Sequence, residues 1–138
     1  MAFVVTKDGS ILILGRAITG WFPSLQQWQI RLFKTDHTPT IDSVVADFTE
    51  STFAGYARKN LDNELWQTPT WEGDRATAQY DDYPLTWDVT AGTETVYGML
   101  LVDLASGVLV AADRFATVRV LDEDGKLGLL VSLSARGG

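Results

Sequence analysis

The sequence predicts a mostly β, single-domain protein: a β-sandwich or Greek-key barrel of about seven or eight short strands with one short N-terminal helix. Three observations carry that expectation. The chain has 138 residues, the length of one domain. Its apolar residues recur with period two in several short stretches set apart by turn residues. Two long apolar runs are joined around Ala105-Ser106-Gly107, a strong hairpin signal. With 46% hydrophobic and 11% aromatic residues, the chain can bury a core rather than stay disordered. No fixed-period repeat and no low-complexity linker divides it, so residues 1–138 form one unit, with 136–138 expected as a loose tail.

Along the chain, Ser10 is placed to cap a helix and Gly20 to stop it, with Ile11, Leu14 and Ile18 on one helical face. The β-branched Ile11, Ile13, Ile18 and Thr19 compete for a strand, and the helix is the preferred reading. Trp28, Ile30 and Leu32 then alternate with Gln29 and Arg31 in a strand that ends near Lys34. Ile41 to Gly55 reads as an ordered excursion, capped by Asp47 or Thr49 and anchored by Phe48 and Phe53. Tyr56 to Leu61 is a weaker strand. Leu65 to Trp87 holds Trp66, Trp71 and Trp87, punctuated by Pro69, Gly73 and Pro84 into short strands and loops. Leu85, Trp87 and Val89 alternate as one more strand. The hairpin runs, Thr95 to Leu104 and Val108 to Phe115, are apolar on both faces, which places them centrally or under a partner subunit. After an acidic turn at Asp122 to Gly125, Leu127, Leu129, Val131 and Leu133 form a regular final strand.

The net charge is −7 and the basic residues are scattered, which argues against nucleic acid or an anionic membrane as partner. With no cysteine, disulfides and thiolate metal sites are excluded, and assembly in a reducing cytoplasm fits. Ile11 to Leu14 is too short for a signal-peptide core, and no apolar run is long enough for a membrane helix.

Chemistry-bearing motifs are sparse. His37, the one histidine, lies in the turn Asp36-His37-Thr38-Pro39 and reads as a solvated turn residue; a triad needs a positioned nucleophile and an orienting carboxylate. Asp122-Glu123-Asp124-Gly125 starts like a calcium loop, but its twelfth position is Leu133, so a hairpin turn is favoured. Asp81-Asp82 beside Tyr80, Tyr83 and Trp87 suits either a sugar-binding surface or an exposed loop with aromatic anchors, the second being favoured. A glycosidase would need two carboxylates facing each other across a cleft. Nucleophile-elbow, phosphate-loop and zinc-helix motifs are absent. No enzyme activity, metal or cofactor is expected.

The string Leu32-Phe33-Lys34-Thr35-Asp36-His37-Thr38-Pro39, then Ala46-Asp47-Phe48-Thr49-Glu50-Ser51-Thr52-Phe53-Ala54-Gly55-Tyr56-Ala57, resembles a family of small structural proteins of tailed bacteriophages. Two later segments resemble that family's third block: Thr95-Val96-Tyr97-Gly98-Met99-Leu100-Leu101-Val102 and Ser106-Gly107-Val108-Leu109-Val110-Ala111-Ala112-Asp113-Arg114-Phe115. The blocks keep their order over most of the chain. Ala112-Asp113-Arg114 departs from the family's Trp-Ala-Glu-like stretch, and Leu65 to Tyr83 fits poorly. The resemblance implies a virion component made in the bacterial cytoplasm, a capsid decoration (cement) protein. Its partners would be the major capsid protein and copies of itself, a homo-oligomer with a trimer as one form. A tail-associated module that recognises a host-surface glycan is the alternative. The family pattern carries no catalytic residues. Phe48, Phe53, Tyr56, Trp66, Trp71 and Trp87 are the candidate interface residues, with Phe48, Phe53 and Tyr56 equally suited to anchoring within the subunit.

Overall fold

A computed structural model describes residues 3–19, 28–61, 70–80, 85–123, 125–129 and 131–136. Along them run β1 (Val4–Val5), α1 (Lys7–Thr19), β2 (Trp28–Phe33), a 3₁₀ turn (Val45–Asp47), β3 (Lys59–Leu61), β4 (Thr70–Glu72) and β5 (Arg75–Gln79). The order continues with β6 (Leu85–Asp88), β7 (Glu94–Asp103), β8 (Leu109–Leu121), β9 (Lys126–Leu129) and β10 (Ser132–Arg136). The protein is therefore mostly β with one helix, as its sequence predicts. A five-stranded sheet of order β1-β8-β7-β2-β3 carries the structure, beside a three-stranded sheet β10-β5-β4 and a two-stranded sheet β6-β9. All pairings are antiparallel. The layers stack: Ile30, Leu32, Met99, Leu101 and Ala111 of the large sheet share one core with Trp87, Leu127 and Leu129 of β6-β9 and with Tyr80 and Val131.

β7 and β8 form the predicted hairpin. Asp103 closes it, its carboxylate accepting from the Ser106 N–H at 3.0 Å and the Ser106 hydroxyl at 2.7 Å. Gly107 supplies the left-handed turn residue, φ 74°, a conformation that costs glycine little. Both faces of β7 are covered, and the cover comes from the chain itself. Leu100 and Val102 join Phe33, Leu109 and Ala112 in a second cluster, lidded by Phe48 and Val45 of the excursion. Near its far end β8 bulges: Val96 pairs with Arg119 but Gly98 with Arg114, so residues 115–118 lie opposite Tyr97 alone. Such a bulge bends the strand and increases its local twist.

Several sequence expectations are corrected. The helix begins three residues before Ser10, because Thr6 is its cap: the Gly9 N–H donates to Thr6 Oγ1 at 2.9 Å and the Ser10 N–H to Thr6 O at 2.9 Å. Gly20 lies outside the described residues. The strand expected over Tyr56 to Leu61 shrinks to Lys59–Leu61, since Gly55 turns the chain (φ 97°) and the Tyr56 hydroxyl is bonded elsewhere. The regular final strand is two strands. β9 pairs with β6, whereas β10 pairs with β5, and the switch falls next to Val131, whose carbonyl accepts the Tyr80 N–H at 2.9 Å. Arg136, expected in a loose tail, ends β10 and pairs with Arg75 of β5; residues 137–138 lie outside the described residues.

Candidate functional site

The resembling blocks converge on one junction at the end of β2. The Lys34 N–H donates to Thr49 O at 2.8 Å and the Ser51 N–H to Leu32 O at 2.9 Å, stitching the excursion to the strand. Phe48 packs on Phe33 with ring centroids 4.7 Å apart, and His37 meets Phe48 edge-on at 4.9 Å. The Glu50 carboxylate accepts the Tyr56 hydroxyl at 2.6 Å and a bidentate pair from Arg58, both at 2.8 Å. The Leu32 N–H donates back to the Tyr56 oxygen at 3.2 Å. Nearby, Glu94 accepts the Thr52 N–H and hydroxyl, each at 3.1 Å, and pairs with Lys34 at 3.6 Å. Arg114 pairs with Asp36 and lies over the Tyr97 ring at 5.3 Å.

The electrostatics of this junction oppose acid–base work. Arg58's hydrogen bonds hold the Glu50 carboxyl below its ordinary value. Burial, then the bond to Glu50, raises the Tyr56 phenol above its own. Both groups therefore keep one protonation state through the neutral range, whereas a general acid or base needs a pKa near the working pH. The charges act as a clasp. Asp36, the sequence neighbour of His37, is engaged by Arg114 and the His37 ring packs on Phe48. The turn histidine is thus half-buried rather than fully solvated.

Of the candidate interface residues, Phe48, Phe53 and Trp87 are buried within the chain, so an outward role for them is corrected. Trp87 is 1% exposed, its indole N–H donating to Ala57 O at 2.7 Å while Lys59 Nζ sits 5.7 Å from the ring centroid. Phe53 meets Tyr56, itself half-buried, at 5.4 Å. These aromatics are anchors inside the subunit. Trp71, by contrast, is 65% exposed, on β4 at the edge of its sheet. Trp66, Asp81, Asp82 and Tyr83 lie outside the described residues, and Tyr80 is in the core. The Asp122 turn is closed by the Gly125 N–H donating to Asp122 O at 2.7 Å; Asp124 lies outside the described residues. Among the described residues no three His, Asp or Glu side chains gather as a metal site would require.

Two features escaped the sequence. Ile11 and Leu14 do share a helical face, but it points outward: they are 70% and 61% exposed. The inward face is set by Gly9, where a Cβ would lie 2.2 Å from Val110 O, and by Leu12, which packs on the core. At one end of this stripe the Lys7 N–H donates to Ile41 O at 2.8 Å, and Ile41 is 54% exposed. The second feature is Asp113, buried on β8 opposite Met99 with its Oδ2 unpartnered. Burial pushes its carboxyl up to about 6.

Comparison of the chain with protein families, with curated proteins and with solved structures finds no match. The phage resemblance thus rests on the sequence blocks.

Proposed function

We propose that this chain is a non-catalytic structural protein of a tailed-bacteriophage particle, a capsid decoration protein that packs against the major capsid protein and copies of itself. The observation that carries the packing role is the outward apolar stripe of α1, Ile11 and Leu14, continued by Ile41. A helix in water normally turns that stripe to its own core, and contiguous exposed apolar surface marks contact with another molecule. The phage setting comes from the resembling blocks, and the clasp they form suits a subunit that has to stay rigid under load. Antibody labelling of purified particles tests the reading. Label over the head is expected; label confined to the tail tip, or absent from particles, would sink it.

The exposed Trp71 on an edge strand favours a second reading, a tail module whose indole stacks on a host glycan. Glycan-array binding that is lost in Trp71→Ala would replace the first proposal with this one.

A further inference from the structure

We infer that Arg31, beside Arg58 and Asn60 at the β3 edge of the large sheet, receives a carboxylate carried by another protein chain, an Asp or Glu side chain. The inference deepens the packing role proposed above and rests on it only for the source of the carboxylate. It begins with a cation that has no pair. Arg31 is half-buried and gives its Nε–H to Gln29 Oε1 at 2.8 Å. The rest of its fork meets no acceptor among the described residues. The register sets Gln29 against Asn60 and Ile30 against Lys59, and one step further brings Arg31 to Arg58. Like charges set opposite each other on a sheet destabilise it. Burial, then the charge of Arg58, holds the Arg31 guanidinium below its ordinary value. Glu50 does not relieve both arginines, because its oxygens are taken by the bidentate pair from Arg58 and by the Tyr56 hydroxyl.

What the site offers a ligand is all donor. Gln29, which is buried, spends its Oε1 on Arg31 and gives an Nε2–H to Asn60 Oδ1 at 2.9 Å. The side-chain oxygens of both amides are thereby used, and the exposed Asn60 keeps its amide N–H groups free. Arg58, exposed as well, commits its Nε and Nη2 to Glu50 and keeps its Nη1. A planar fork with free N–H groups matches a carboxylate bidentately. The charge agrees. Arg31 and Arg58 set against Glu50 leave a single uncompensated positive charge, which one carboxylate neutralises and a doubly charged phosphate overshoots. The source follows from how open the site is. A few charge-assisted bonds on an exposed sheet edge hold a free acid only at about millimolar concentration or above. A carboxylate that stays has to be held by further contacts of the chain that bears it, and protein interfaces concentrate arginine.

Fluorescence anisotropy of a labelled hexaglutamate peptide with the full chain, at low salt, tests the site. Binding is expected, and Arg31→Gln, which keeps a stem beside Leu100 but loses the fork, should weaken it about tenfold or more. Arg31→Lys, charged but without the fork, should recover only part of that loss. Lys126→Gln removes the same charge at an exposed residue of β9 and should change the affinity less than about twofold. Free glutarate should compete only at concentrations about tenfold or more above those of the peptide. In the unsubstituted protein the Arg31 and Asn60 side-chain NMR signals should be the first to move, a readout that depends on no variant's folding. No binding, binding that survives Arg31→Gln, or an equal loss from Lys126→Gln overturns the site. Glutarate as effective as the peptide overturns the protein source, and inorganic phosphate more effective than glutarate overturns the carboxylate. Particle labelling makes no use of this site, so its failure here leaves the decoration role standing.

Discussion

Asp113 sets a pH dependence that a single substitution can isolate. Its carboxyl is 5% exposed with an oxygen that has no partner, directly across from Met99. Burial raises it from 3.8 to about 6, so the folded state holds this proton more tightly than the unfolded chain does. The linked stability is therefore complete below about pH 4, declines as pH climbs, and is lost above about pH 6. Moving a carboxyl over that span corresponds to on the order of 3 kcal/mol between its neutral and charged forms. Asp113→Asn removes the charge but leaves a buried amide with imperfect partners, which costs part of the gain. The expected net effect is thus a stabilisation of roughly 1–2 kcal/mol at pH 8 that turns into a destabilisation of about 1 kcal/mol at pH 4. Urea unfolding of both proteins across pH 4–8 measures it, and taking the difference cancels the other carboxylates, Glu50 included. A variant less stable than the parent at pH 8, or a difference that does not grow with pH, would refute the argument.

Three further outcomes follow from the packing. Gly98→Ala should cost roughly 1–3 kcal/mol, at the upper end of overpacking, because the new Cβ would lie 2.1 Å from Asp113 O and 2.5 Å from the Phe33 ring; chemical denaturation reads the loss. Leu101→Asp should abolish soluble expression, since a buried, unpaired charge costs several kcal/mol out of a total of about 5–15. Leu100→Asp should be milder, because its cross-strand neighbour is Arg31 whereas that of Leu101 is Ile30; equal damage from both would deny the pairing. Trp87→Ala should cost about 3–5 kcal/mol by leaving a core cavity, and Trp71→Ala within about 0.5 kcal/mol, a contrast thermal unfolding resolves.

What the sequence made legible was local. The β7–β8 hairpin carries its turn chemistry within Ala105-Ser106-Gly107, and β2 and β6 show their alternation within a few residues. What it hid depended on partners distant in the chain. Period alone puts Ile11 and Leu14 on one helical face, but which face turns inward is decided by Gly9 meeting the backbone of Val110. The alternation from Leu127 through Leu133 runs on without a break, so nothing local marks the change of partner from β6 to β5. Asp113 sits beside Arg114 in what reads as a charged end to an apolar run. Its burial requires β7 on one side of β8 and β1, more than a hundred residues away, on the other. The Tyr56 region misled for a related reason. Its alternation is real, but the hydroxyl is tied to Glu50 and to the backbone of Leu32, which holds the segment off the sheet until Lys59.

The junction also separates the residues that seat the excursion from those that face outward. Phe33, Lys34, Asp36 and His37 of one block meet Phe48, Thr49, Glu50, Thr52 and Tyr56 of another, and Tyr97 and Arg114 of the third. These contacts lie within the subunit, so the blocks constrain how the excursion seats on the large sheet and say little about what the outer surface touches. Among the described residues the large apolar side chains with surface to offer, Ile11, Leu14, Ile41 and Trp71 together with Ile13, Val44, Leu104 and Val120, all fall outside the blocks. Substituting them exchanges exposed side chains, a change of about 0.5 kcal/mol or less in most surface settings. Substituting Phe48 or Tyr56 would unseat the excursion and uncover Phe33 and Leu100 with it. Surface chemistry can therefore drift to suit a new neighbour at little cost to folding, while the clasp cannot.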